Sequence, residues 1–178
     1  MEIDQKIAET LGFPKPQYVA VERERRWLCR QVPHDNVIQT EEITDLYVTG
    51  ARLRLREARP IDGSAPMLRL SRKADVDIHT RLITSIYLSE AEFAILASTL
   101  PGIRIVKRRY RLKPLPGVMM LVDEFQDELD GLILTEAEFE TDELLTAFEK
   151  PDFALREVTG DLHFTGGHLV KHGLPKDL

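Results

Sequence analysis

The chain has 178 residues, 43% of them hydrophobic, and a formal net charge of −6 from 24 basic and 30 acidic side chains. That length suits one domain with a sizeable core, and the acidic balance argues against nucleic acid as the main partner while leaving room for a local anion site made of clustered basic residues. The single cysteine, Cys29, excludes an intramolecular disulfide, and no Cys/His spacing suits zinc.

The N-terminal stretch MEIDQKIAETLGF is acidic and lacks the basic start and apolar run of a signal peptide, and no apolar run reaches membrane-spanning length. A cytoplasmic protein without membrane contact is therefore expected. Residues 3–11 should form a short helix ended by Gly12, Pro14 and Pro16, inside an N-terminal extension over 1–17. Strand-like runs follow at 18–29, 43–48, 51–57, 67–73, 81–88, 103–112, 118–125 and 132–140. Residues 58–66, with Pro60, Gly63 and Pro66, read as a loop. Ser89 and Glu92 form a capping box ahead of an apolar stripe of Phe93, Leu96 and Leu100, closed by Pro101 and Gly102. A second helix is expected at 142–149 after Thr141, and a third at 165–173, weakened by Gly166 and Gly167. The terminal PKDL reads as disordered. No repeat or linker divides the chain, so one domain over 1–178 is expected.

Within most of the strands, alternate residues carry charge of one sign. In VERERRWLCR, Glu22, Glu24 and Arg26 share a face; taken singly, that is a solvated edge strand. Arg52, Arg54 and Arg56 oppose Leu53 and Leu55, and Arg69, Ser71 and Lys73 oppose Leu68 and Leu70. Lys107, Arg109 and Arg111 oppose Val106 and Tyr110, with Arg108 a misfit on the apolar side. Glu136, Glu138 and Glu140 oppose Ala137 and Phe139, and Asp123 opposes Val122. Surface charge is normally mixed in sign, and like charges two residues apart repel. Basic strands therefore call for an anion and acidic strands for a hard cation, Mg²⁺ or Mn²⁺, and a polyphosphate carrying its metal meets both demands. Eight mostly antiparallel strands can enclose these positions in a barrel with a charged lumen and helices packed outside, an α+β fold. The alternative is that the opposite charges simply pair across the lumen as a buried network.

The ordered motifs resemble the CYTH superfamily, the triphosphate tunnel metalloenzymes. Its opening E-x-E-x-K appears as Glu22, Glu24 and Arg26, with arginine in place of lysine. Its R-x-R is matched by Arg52 and Arg54, its next lysine by Lys73, the arginine opening the fifth strand by Arg81, and K-x-R-Y by Lys107, Arg109 and Tyr110. The aspartate strand, Gly-Leu turn and E-x-E strand correspond to Asp123, Gly131, Leu132, Glu136 and Glu138, and the terminal E-V-T-x-D to Glu157, Val158, Thr159 and Asp161. The match runs in order from residue 18 to about 170. Two departures stand out: Ile83 and Ser85 replace an acidic pair on the fifth strand, and Phe164, Thr165 and Gly166 replace an aromatic-Asn corner.

The resemblance implies an eight-stranded tunnel binding a small triphosphate and a divalent metal, and a metal-dependent triphosphatase. Arg26, Arg52, Arg54, Lys73, Arg81, Lys107 and Arg109 would cradle phosphate, and Glu22, Glu24, Glu136 and Glu138 would hold the metal. Glu24, Asp123 and Lys107 would serve catalysis, Asp123 by helping to generate the nucleophile. Thiamine triphosphatase and class IV adenylate cyclase are the sister activities. The absence of a base-recognition motif favours a substrate that is mostly phosphate, and the lost acids at 83 and 85 leave a non-catalytic polyphosphate or nucleotide sensor as the alternative. Cys29 reads as packing. His168 and His172, four apart near His163, lack a third ligand; Asp75, Asp77 and His79 read as a solvated connection, and Glu41 with Glu42 as an exposed turn.

Overall fold

The computed structural model describes residues 4–176 and 178; Ile3 of the expected first helix, the first three residues of the N-terminal extension and Asp177 of PKDL lie outside them. Among the described residues there are nine strands: β1 (Ala20–Cys29), β2 (Val37–Val48), β3 (Leu53–Pro60), β4 (Met67–Asp75), β5 (Thr80–Tyr87), β6 (Gly102–Leu112), β7 (Val118–Phe125), β8 (Ile133–Phe139) and β9 (Ala154–Glu157). The helices α1 (Gln5–Thr10), α2 (Glu90–Thr99), α3 (Asp142–Ala147) and α4 (Gly166–His172) punctuate them.

The strand order is β5-β4-β3-β2-β6-β7-β8-β1, and β1 pairs back onto β5, so eight antiparallel strands close into the expected barrel. Closure leaves those ladders without a free edge. β1 is the closing strand: Ala20 to Arg23 pair with β5, Glu24 to Leu28 with β8, and Trp27 to Cys29 with β9. Between its β5 and β9 contacts the seam is carried by loop groups. Glu24 N–H donates to His79 O (2.8 Å), Val158 N–H donates to Arg26 O (2.8 Å), and Arg26 N–H donates to Thr159 Oγ1 (3.0 Å).

Period two then sorts every strand into a lumen face and an outer face. The outer faces of β1 and β6 to β8 build one core around Trp27, Tyr110, Val122, Ala137 and Phe139, covered by Leu144, Leu145 and Phe148 at α3. Arg23 and Arg25, on the outer face of β1, tether that helix: Arg23 Nε reaches Asp142 Oδ1 at 2.8 Å and Arg25 Nη1 donates to Phe148 O at 2.6 Å. Ala8 of α1, with Phe13, packs on Ala74 and Leu82 over β4 and β5. The Ser89–Glu92 capping box forms as expected, but α2 buries no residue and its stripe is only half-covered. At one end of the barrel the lumen positions turn apolar, where Leu28, Ile105, Phe125 and Leu134 meet Phe164 and Leu169. The segment from Leu162 to His172 thus fills that end.

Three local expectations are corrected. β2 starts at Val37 rather than 43, so Glu41 and Glu42 are strand residues opposite Arg109 and Arg108, and Arg108 Nη2 meets Glu42 Oε1 at 3.3 Å on the outer face. β3 extends to Pro60, leaving only 61–66 as loop. Four-residue β9 offers too short an alternation to be legible. Among the described residues no helix is long and apolar enough to cross a membrane.

Candidate active site

The barrel encloses a cavity of about 470 Å³. All twelve site residues named from the sequence line it: Glu22, Glu24, Arg26, Arg52, Arg54, Lys73, Arg81, Lys107, Arg109, Asp123, Glu136 and Glu138. They come from β1, β3 to β8 and the turn before β3, and the pleat alone brings them together. Nine basic and six acidic side chains line the cavity, so the chamber is net positive inside a chain that is net negative. Arg52 differs from the rest in being exposed, at the turn preceding β3.

The charges form three networks, the largest joined through Glu24 and Glu136. Arg26, almost fully buried, reaches Glu24 Oε1 at 2.7 Å and Glu136 Oε1 at 2.9 Å, and donates to Phe164 O at 3.0 Å, so the β1 arginine also fastens the apolar end. Arg81 pairs with Glu24 and, at 2.7 Å, with Asp75. Arg109 grips both oxygens of Asp123 at 2.6 and 2.7 Å, Lys107 shares Asp123 Oδ2 at 2.5 Å, and Arg109 extends to Glu136 at 3.3 Å. Lys73 pairs with Glu22. The third network was not anticipated: Asp45, fully buried on β2, accepts two bonds from Arg56 at 2.7 and 2.6 Å and lies 3.6 Å from Arg54. Its signal in the sequence is one carboxylate in ITDLYV, whose alternate partners Ile43 and Tyr47 conceal it among hydrophobic residues.

Burial would raise the carboxyl of Asp123, but Arg109 and Lys107 overcome it and hold the group below the usual range. Glu136 is held well below in the same way, by Arg26 and Arg109 against burial. Glu22 is lowered against burial by the Lys73 ammonium. Burial pushes Lys107 down to about 8, with Asp123 opposing and Arg109 adding to the fall. Glu138 goes the other way: burial, then its neighbours Glu22 and Glu136, push it up to about 7.

Both oxygens of Asp123 are engaged by Lys107 and Arg109, and these cations favour its ionised form, which makes it a weak proton acceptor. Among the described residues no three His, Cys, Asp or Glu side chains are arranged to hold a metal ion, because Glu22, Glu24 and Glu136 are turned onto cations. Glu138 is the acid left for one: it makes no ion pair among the described residues, and its raised affinity for a proton marks a place where positive charge is wanted. The donor set, all carboxylate oxygen, suits a hard divalent cation.

Of the remaining sequence candidates Asp75 and Gly166 line the cavity, whereas Cys29, the three histidines, Asp77 and His79 fall outside it. Cys29 is buried and its thiol is pushed up to about 11 by burial, which makes it unreactive. The His163 and His168 rings meet edge-on with centroids 4.8 Å apart and the His168 and His172 rings tilted at 4.2 Å, with His163 Nδ1 2.7 Å from Asp161 Oδ1. Asp77 caps its turn by accepting from His79 N–H and Thr80 N–H, each at 2.8 Å, whereas Asp75 ends β4 and meets Arg81. The terminal motif is a latch: Glu157 pairs with Arg25 at 2.6 Å on the outer face, Thr159 braces the Arg26 backbone, and Asp161 accepts from His163 N–H at 3.0 Å. Gly166 is required at its corner, since a Cβ there would stand 1.9 Å from the Tyr47 hydroxyl.

No model of a known family matches the chain. Over 68 residues it is 40% identical to an inorganic triphosphatase of Acetivibrio thermocellus, a stretch covering 38% of this chain and 42% of that protein, so the chain spans less than half the length of this relative. Among solved structures, the inorganic triphosphatase NE1496 superposes with a TM-score of 0.56 at 23% identity, covering 84% of this chain and 93% of that one. PH1819 from Pyrococcus horikoshii gives 0.56 at 18% identity over 70% and 82% of the two chains. The tunnel fold expected from the ordered motifs is the fold these solved structures share, and the 68-residue match is to an inorganic triphosphatase.

Proposed function

We propose that this chain is a metal-dependent phosphohydrolase that acts on inorganic triphosphate or a small triphosphate compound inside its β-tunnel, as one domain over 1–178 working in the cytoplasm. The observation that carries this reading is the sorting of nine basic and six acidic side chains into one chamber of an otherwise acidic protein. Arg26, Arg54, Lys73, Arg81, Lys107 and Arg109 bind and orient the phosphoryl oxygens, with exposed Arg52 drawing the anion towards the cavity. Asp45 and Asp123 hold Arg56, Lys107 and Arg109 in fixed directions, so little reorganisation is needed as charge develops on the phosphoryl group.

Glu138 with Glu22, Glu24 and Glu136 would hold Mg²⁺ or Mn²⁺ once the phosphates engage the cations that now pair with Glu22, Glu24 and Glu136. A metal there would supply further charge neutralisation and a more acidic water. The filled barrel end limits water to one side of the substrate. The match over 68 residues to a protein named an inorganic triphosphatase supports the choice of substrate, as does a chamber whose lining offers charged groups far more than aromatic faces.

A sensor that binds polyphosphate without hydrolysis is the second reading, favoured by one observation. On the fifth strand Ser85 contacts Ser71 Oγ at 2.7 Å, and Ile83 faces Lys73, so that wall offers no carboxylate. Glu136→Gln separates the two. The enzyme reading expects turnover to fall at least about a hundredfold while tripolyphosphate affinity stays within a few-fold; a wild-type protein that binds tripolyphosphate and shows no turnover at any metal concentration leaves the sensor.

A further inference from the structure

One part of the cavity wall comes from outside the barrel. Leu11, in the turn that follows α1, lines the chamber, and among the described residues it is the only lining residue from the N-terminal extension. The exposed members of the lining, Ala51, Arg52, Asp75, Leu162 and Gly167, mark where the chamber opens to solvent. Half-buried Leu11 belongs to the same rim: its carbonyl is bonded to Arg72, whose ladder partner Leu53 follows Arg52 into β3.

A single guanidinium fixes this turn. Arg72, on the outer face of β4, donates through Nη2 to Leu11 O at 2.9 Å and through Nη1 to Gly12 O at 3.4 Å, and its Cζ lies 4.5 Å from the centroid of the Phe13 ring. Phe13 is buried with Ala8 against Ala74 and Leu82, and its N–H donates to Ala8 O at 2.8 Å. Gly12 has a φ of +84°, and a Cβ there would stand 2.8 Å from Arg72 Nη2, so the turn admits no side chain where the arginine passes. A wall that could swing aside would exclude nothing. Leu11 cannot retreat without breaking its bond to Arg72 or lifting Phe13 from its core. Its side chain also offers no polar atom, so a hydroxyl-bearing group pressed against it would lose water without gaining a partner. Inorganic triphosphate, composed of phosphoryl groups for the inner cations, makes no such demand on the rim.

We propose that Leu11 is a specificity-determining residue: pinned at the mouth by Arg72, it leaves room for inorganic triphosphate and turns away triphosphates that carry an organic group on a terminal phosphate. This rests on the chamber binding phosphates at all, as proposed above, and narrows the substrate class within that reading. Arg72 acts through Leu11 as a positioning residue.

The test is titration calorimetry in EDTA, where binding is read without hydrolysis, of tripolyphosphate and ATP against the wild type, Leu11→Ala and Arg72→Ala. The wild type should bind tripolyphosphate the tighter. Leu11→Ala should raise ATP affinity about tenfold while tripolyphosphate stays within about twofold, the scale on which a few methylenes discriminate in a fixed pocket. Arg72→Ala, which frees the turn, should shift the ratio in the same direction by less. An unchanged ratio in Leu11→Ala, or a wild type that binds ATP as tightly as tripolyphosphate, would overturn the filter and leave the phosphate chamber standing. Weaker ATP binding in Leu11→Ala would overturn it too, by making the rim an apolar seat for the organic group. A wild type that binds neither ligand would overturn the phosphate chamber as well. Circular dichroism of each variant separates altered binding from lost folding.

Discussion

Glu138 stands directly across the β1–β8 ladder from Glu24, and of these two facing carboxylates only Glu24 is matched by cations, Arg26 and Arg81. A carboxyl pushed up to about 7 by burial and by Glu22 and Glu136 binds its proton more tightly in the folded chain than in the unfolded one, where the value is about 4.3. The stability it allows is complete below about pH 4.3 and is lost as the pH rises through about 7. Glu138→Gln is therefore expected to match the wild type near pH 4 and to exceed it above pH 7 in EDTA, by about 1–3 kcal/mol or a few degrees in Tm. Mg²⁺ should raise the Tm of the wild type and do so less for the variant. Thermal melts at pH 4.5 and 8 read all of this.

Asp45 and Asp75 both meet arginines, in opposite environments. Asp45 is fully buried between Arg56 and Arg54, whereas the Asp75 side chain is 73% exposed beside Arg81. Removing one partner from a buried charge group leaves the other unpaired, so Asp45→Ala should cost about 3–5 kcal/mol. Asp75→Ala should cost less than about 1 kcal/mol. Urea denaturation of the two variants gives the comparison, and similar losses would contradict the assigned network.

Lys107 loses its proton at about pH 8, because burial outweighs the support it receives from Asp123. Below that pH it is an ammonium able to contact phosphate; above it, a neutral amine. Tripolyphosphate affinity should accordingly fall through about pH 8. Lys107→Arg, whose guanidinium stays charged well above that pH, should carry binding to higher pH even if its affinity at pH 7 is lower. A wild-type affinity flat from pH 7 to 9 would contradict a Lys107 that loses its charge in this range.

The corner at Gly166 can be tested by paired substitutions. A methyl group there overlaps the Tyr47 hydroxyl, so Gly166→Ala should destabilise the chain by about 1–3 kcal/mol as an overpacking defect. Adding Tyr47→Phe should recover part of the loss, since it deletes the atom nearest the new methyl. Additive losses in the double variant would show that the two residues do not touch.

Much of this fold is written in the alternation of charge. Strands such as RLRLR and EAEFE keep period two over their whole length, and the barrel needs only that their charged faces meet. Elements that depend on distant partners were not legible in that way. β9 exists because Trp27, Leu28 and Cys29 offer it a ladder, and the first half of β2 exists because β6 pairs along it. The site divides along the same line. Residues on strands of one sign were found, whereas Asp45 sits among apolar neighbours and only the facing Arg54 and Arg56 give it meaning. The opposite shifts of the Asp123 and Glu138 carboxyls arise from burial and from neighbours on other strands, Arg109 and Lys107 for the first and Glu22 for the second, and only the contribution of Glu136 to Glu138 lies within one strand.

The most direct measurement is phosphate release from tripolyphosphate in Mg²⁺, Mn²⁺ or EDTA, with ATP and thiamine triphosphate as alternatives and the Glu22→Gln, Glu24→Gln double variant as control. The proposed function predicts release that requires the metal, is greatest with a substrate composed mainly of phosphate, and is lost in the double variant while the fold persists. No release from the wild type with any metal or substrate, or release undiminished in the double variant, would contradict it.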